Sequence, residues 1–373
     1  MAEEIRKNIR RIIQGNRKED RERRINDRRA LEYEEQMTLD EFCSLLQAMK
    51  SRRKDTSYWR SIKNTLALGD DYCDKFVKSE GAFSMLMSAF LCSDASTQVQ
   101  ATGCIANLAS SVQVAPRVCS AAAPYLLTFL AGSYNILQDC AAVALGNLAL
   151  NGCCEQLGAM GFLCVTASVL KSPYEFVVHS CLISIECYTF SAAISSRHIE
   201  ETELLENLLL VIKAGFLSEP CQILFNVYAR VEDLKVSEEL SASICQAILD
   251  FYPELDCTSA DDIMFLTAMQ RCLAAMAAAS PQVGEQVAVG LLKIDVLRAC
   301  LLSPYSHLRK ECIWLINNIT PWLPSLDDPT AHALGMALYM FARDKKQPFA
   351  ENILCSHLGK YLMESFDTET DEK

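Results

Sequence analysis

The sequence predicts an all-α protein, a solenoid of short helical repeats, on three observations. One pattern recurs: residues 101–110 read ATGCIANLAS, 141–150 read AAVALGNLAL and 311–320 read ECIWLINNIT, each with an Asn in an apolar helical stretch followed by Leu or Ile. The recurrence has a period. Asn107 and Asn147 are 40 residues apart, Glu186 lies 39 further, Asn226 another 40, and Asn318 a further 92, room for two units with a copy near Ala275. Finally, from about 56 to 365 the alternation of a strand is absent over any useful length. A helical unit of about forty residues cannot bury its apolar face alone, so neighbours must stack, and stacking exposes a long surface suited to other chains.

Taken in order, residues 1–37 form a polar arm. Ile5, Ile9, Ile12 and Ile13 fall at helical spacing, Gly15-Asn16 breaks the run, and Arg17 to Met37 has helix formers with little apolar face to bury. Residues 38–365 form the repeat array, about seven units. It opens with Thr38 as N-cap and Glu41 three residues on, a capping box. The inner helices are expected at 56–69, 97–110, 135–150, 175–190, 217–230, 262–279 and 306–320, with Pro116, Gly132, Pro173, Pro253, Pro281 and Pro304 between them. The interval 230–262 is longer, so one repeat is enlarged or irregular. Residues 366–373 are an acidic tail.

Charge is unevenly placed. Residues 1–29 hold eleven Lys/Arg against six Asp/Glu, whereas residues 55–373 hold 20 basic and 36 acidic residues. A basic arm on an acidic body fits a positively charged partner, or the arm itself, and argues against nucleic acid. The 18 Cys contain no CxxC pair, and with five scattered His they give no metal-ligand spacing. They read as small hydrophobes of a reduced, intracellular protein. No phosphate-binding Gly loop, nucleophile elbow or His-Glu metal pattern is present, so no enzyme, cofactor or metal site is expected. Val118 to Gln138 is 21 residues without a charge, long enough for a bilayer, but Pro124, Gly132, Ser133, Asn135 and Gln138 interrupt it. A helix, a Gly-Ser turn and the next helix explain it without lipid.

KECIWLINNIT (310–320) resembles the third-helix motif of the armadillo repeats of the importin-α family, in which Trp-x-x-x-Asn follows Lys-Glu. DCAAVALGNLAL (139–150) is similar to another copy with the Trp replaced. RERRINDRRALEYEEQM (21–37) resembles, more loosely, the family's Arg-rich importin-β-binding segment. PYLLTF, LGNL and WLINN, in this order, resemble a divergent member. The resemblance implies an armadillo right-handed superhelix whose third helices line a concave peptide groove. Carried onto this chain, the groove residues are Asn107, Asn147, Glu186, Asn226, Trp314 and Asn318, and the importin-β-binding arm carries Arg21, Arg23, Arg24, Arg28 and Arg29. Amides there would hold a peptide backbone, while aromatic faces and carboxylates would select cations. The position four residues before each groove residue reads Gly103, Val143, Leu182, Gln222 and Trp314, so one ring in five is kept.

Each assignment has a plainer alternative. The Asn residues also suit helix–helix packing, Glu186 an exposed face, and the Arg cluster, interleaved with Glu19, Asp20, Glu22 and Asp27, a solvated run of intrahelical pairs. Trp322, after Pro321, reads as core or cap. The function implied is a non-enzymatic adaptor for nuclear import, cytoplasmic and nuclear, binding protein cargo in the groove and importin-β through the arm. The alternatives are a cytosolic armadillo scaffold for one dedicated protein partner, and a protein inserted in a membrane through 118–138.

Overall fold

The computed structural model describes residues 37–47, 55–192, 194–231, 233–293, 296–322, 332 and 334–339. The described residues are helical with no strand, and the chain divides into two compact units, Met1–Met160 and Gly161–Lys373. Residues 1–36 of the arm, with the five Arg residues assigned to importin-β binding, and the acidic tail lie outside the described residues.

The first unit contains α1 (Leu39–Gln47), α2 (Thr56–Leu66), α3 (Asp70–Lys78), α4 (Ala82–Phe90), α5 (Ala95–Ala109), α6 (Ala115–Leu130), α7 (Asn135–Leu148), a wide π turn (Ala149–Cys153) and α8 (Cys154–Ala159). Helix starts follow cap chemistry. The Thr38 N–H donates to Glu41 Oε2 at 2.8 Å while Thr38 Oγ1 accepts from the Glu41 N–H, the expected capping box. Asp55 and Asp94 accept from the amides of Tyr58 and Thr97. Gly81, at φ 78°, makes the left-handed turn between α3 and α4 without a Cβ penalty. α2 packs on α5, and α5 on α7, with α4 and α6 against them. The core between them includes Trp59, Ile62, Leu66, Leu86, Phe90, Ile105, Leu126 and Leu145. Each such aliphatic side chain contributes about 1.5–3 kcal/mol on burial.

The uncharged stretch 118–138 is not one helix. α6 ends at Leu130, residues 131–134 turn, and α7 begins at Asn135. Pro124, expected to interrupt, lies inside α6 at an exposed position.

The second unit contains α9 (Phe162–Val169), α10 (Glu175–Ser191), α11 (Ser196–Glu200), α12 (Leu204–Lys213), α13 (Ser218–Arg230), α14 (Glu238–Leu249), α15 (Ala260–Ala279), α16 (Pro281–Lys293), α17 (Val296–Leu302) and α18 (Ser306–Ile319). Two rows run through it: α10, α13, α15 and α18 pack in succession, and so do α9, α12, α14 and α16. Sandwiching leaves α10 little solvent face, with Val177, Val178, Cys181, Leu182, Ile185, Cys187 and Tyr188 all buried. The enlarged interval holds α14 and a short 3-10 turn, Tyr252–Glu254, whose Tyr252 is enclosed. Asp262–Ala279 of α15 is the one described helix long and apolar enough to cross a membrane, and 61% of that window is buried among its neighbours. Each unit is thus an all-α solenoid, helices stacked on the helices of the preceding repeat.

Candidate functional site

In the first unit the row α2–α5–α7 carries Asn107 and Asn147. Asn107 Nδ2 donates to Lys63 O on α2 at 2.8 Å, and Asn147 Nδ2 to Ala106 O on α5 at 2.9 Å. Asn151, in the π turn, repeats the motif by donating to Ala109 O at 2.9 Å. These amides fasten each third helix to the one before it. A net gain of about 1 kcal/mol per bond is typical, and leaving such a group unpaired costs more. The Trp position before Asn107 is Gly103, and a Cβ there would lie 2.7 Å from Lys63 Cδ. The lysine stem of the preceding helix therefore crosses the space that a ring would fill. Val143, its counterpart on α7, is half-buried.

In the second unit, counting from helix starts changes two assignments, since thirteen residues beyond the N-cap Leu217 stands Arg230, four past Asn226. Asn107, Asn147 and Asn318 each lie thirteen residues beyond their N-caps Asp94, Tyr134 and Tyr305. The same count from Tyr174 in α10 reaches Cys187, with Ile183 four residues before it. Glu186 is one residue out of that register and is buried at 6% exposure. Its backbone carbonyl accepts from Thr189 Oγ1 at 3.2 Å.

Asn226, Trp314 and Asn318 share the row α10–α13–α15–α18. Asn226 Nδ2 donates to Thr189 Oγ1 at 3.1 Å, and Asn226 Oδ1 accepts from Gln222 Nε2 at 3.2 Å. Gln222 Oε1 accepts from Arg271 Nη1 at 2.9 Å, and Arg271 Nη2 donates to Glu311 Oε1 at 2.7 Å. A polar chain thus crosses four successive third helices, from Thr189 to Glu311. Above it, Arg271 Cζ lies 5.7 Å from the Phe225 ring centre, and Trp314 meets Phe225 edge-on at 6.0 Å. Trp314 is 36% exposed. Asn318 Nδ2, one turn beyond, donates to Ala274 O on α15 at 2.8 Å. Arg230 extends the fastening, donating to Thr189 O at 2.9 Å and to Phe190 O.

The face around Trp314 can therefore offer an aromatic edge, a half-buried amide and a charged pair. Among the described residues no group of three His, Cys, Asp or Glu is placed to hold a metal ion. Asn151, Asn207 and Arg271 were not singled out by the sequence reading. Asn207 donates from α12 to Ala167 O on α9 at 3.1 Å, the same fastening in the other row. The forty-residue step would have found Arg271, which stands one period before Glu311.

No protein-family description matches the chain, and no curated protein matches it. Solved structures do. An engineered protein aligns with TM-score 0.66 at 18% identity, covering 87% of this chain and 77% of its own. A second engineered protein aligns with TM-score 0.54 at 20% identity over 64% of this chain and 98% of its own. A designed armadillo repeat protein in complex with peptide (KR)4 aligns at 16% identity, covering 75% of this chain and 99% of its own, with TM-score 0.43. At these identities the likeness concerns the fold alone.

Proposed function

We propose that the chain is a non-enzymatic protein-binding scaffold that holds a peptide segment of its partner along the third-helix face around Trp314. The observation that carries this reading is the exposed Trp314 ring, braced edge-on by Phe225, with Asn318 one turn away. A half-exposed indole on a rigid helix row is the kind of anchor that concentrates binding energy, because few of its rotamers are lost on contact. The remaining third-helix positions offer backbone-facing amides whose donors already serve neighbouring repeats, so side-chain pockets rather than an amide ladder would select the partner.

Panning a random peptide-display library against the full chain and against Trp314→Ala tests it. Sequences enriched on the first and lost on the second support the reading. Equal recovery on both proteins counts against it.

A second reading, adaptor in nuclear import, is supported by the basic character of residues 1–29 and by the Trp314/Asn318 pair. In it the arm binds importin-β through Arg21, Arg23, Arg24, Arg28 and Arg29, protein cargo lies in the groove, and the protein resides in cytoplasm and nucleus. Binding of importin-β to the full chain, lost when those five residues become Ala, is the expected result. No binding by the native chain leaves the dedicated scaffold.

A further inference from the structure

The third-helix face of the second unit carries a cation, and it is the protein's own. Arg271 projects from α15 into a site made by α13 on one side and α18 on the other. One terminal nitrogen meets the amide oxygen of Gln222, the other meets the carboxylate of Glu311, and the guanidinium sits 5.7 Å from the centre of the Phe225 ring. Trp314 closes the aromatic side through its edge-on contact with Phe225. The Arg271 and Glu311 side chains are only 14% and 10% exposed. Acceptor, carboxylate and ring face are the three groups that together recognise a guanidinium, with the two terminal nitrogens used as a fork. Arg271 Nε is enclosed and has no partner among the described residues, so the fit is set by the fork and not by the stem.

We infer that Gln222, Phe225 and Glu311 form a guanidinium subsite whose resident occupant is Arg271, and that this occupancy makes the face around Trp314 reject basic peptides. An incoming arginine can use the subsite only by displacing Arg271 from a carboxylate that is largely out of water. Leaving either charge unpaired there is costly. The partner this face accepts therefore places uncharged, apolar or aromatic side chains against Trp314. The assignment of the subsite rests on Arg271 and its surroundings; the statement about partners also rests on the peptide-binding reading above.

The test uses the full chain as wild type, Arg271→Ala and Arg271→Ala/Glu311→Gln, titrated with ethylguanidinium and, as a control, ethylammonium. Arg271→Ala is expected to bind ethylguanidinium about tenfold more tightly than wild type, with a matching recovery of its melting temperature. The double variant is expected to lose that gain. If Arg271→Ala does not fold alone, ethylguanidinium supplied during refolding is expected to restore the helical circular-dichroism signal. A folded Arg271→Ala no better at binding than wild type, an equal gain in the double variant, or refolding indifferent to the ligand would each overturn the inference. Binding of ethylguanidinium to Arg271→Ala with no peptide captured by any variant would keep the subsite and remove the peptide-binding reading.

Discussion

Asn147 on α7 gives its side-chain N–H to the carbonyl of Ala106 on α5, 2.9 Å away. The two residues belong to successive repeats, so the bond is a fastening between units of the stack. Asn147 is 3% exposed, and water cannot replace the bond. Asn147→Ala is therefore expected to lower stability by about 1–3 kcal/mol. The half-buried Asn318 makes the same bond to Ala274, and its substitution is expected to cost less. Urea denaturation followed by circular dichroism ranks the two. A smaller loss at Asn147 than at Asn318 would mean that the fastening role is misassigned.

Gly284 on α16 faces the Trp322 ring, and an added Cβ would come within 2.5 Å of it. The indole is rigid, so the clash must be relieved by moving the ring or the helix, at a cost of about 1–3 kcal/mol. Gly103 offers the control. Its Cβ would meet the flexible end of Lys63 at 2.7 Å, and that stem can swing away. Helix propensity favours Ala over Gly by about 1 kcal/mol at both sites. Gly284→Ala should thus lower the melting temperature while Gly103→Ala leaves it unchanged or raises it. Equal shifts would show that Trp322 yields as easily as a lysine stem.

Particular elements show what was legible in the sequence. The inner helix expected at 135–150 is observed as Asn135–Leu148 with its π turn, and that at 306–320 as Ser306–Ile319. Apolar periodicity and the turn residues carry that information locally. The partner of each Asn was not legible, because periodicity fixes a helix face but not the rotation of the whole helix against its neighbour. Glu186 was placed by a fixed step from Asn147, whereas the helix start at Tyr174 sets the register one residue later. Arg271 escaped notice for a related reason: its meaning lies in Gln222 and Glu311, 49 and 40 residues away on two other helices.

Among the described cysteines, burial sets some apart as silent. Cys164 on α9 is exposed, whereas Cys104 and Cys245 are buried. Burial pushes the Cys245 thiol up to about 12 and raises Cys104 further, which withholds the nucleophilic thiolate from both. Iodoacetamide labelling of the native chain read by peptide mapping is expected to modify Cys164 well before Cys104 and Cys245, which react only after denaturation. Labelling of Cys104 as fast as Cys164 would contradict the packing of α5 against α2.

His307 on α18 links this packing to pH. His307 is exposed at the surface, its ring lies 5.9 Å from that of Tyr305, and partial desolvation there is the main cause that holds its pKa below the ordinary histidine value. The field of Arg271 lowers it further, while Glu311 opposes both. A histidine depressed in the folded state takes up its proton more readily when unfolded. Its contribution is therefore complete above the ordinary histidine pKa and is lost as pH falls through that value towards the lower folded one. Denaturation midpoints measured from about pH 8 to pH 5 should fall towards acid in the wild type, and His307→Gln should flatten that part of the slope. Other groups titrate over the same range, so the difference between the two curves is the quantity to read. Parallel curves would place His307 in an environment no drier than the solvent and would loosen its assignment beside Arg271.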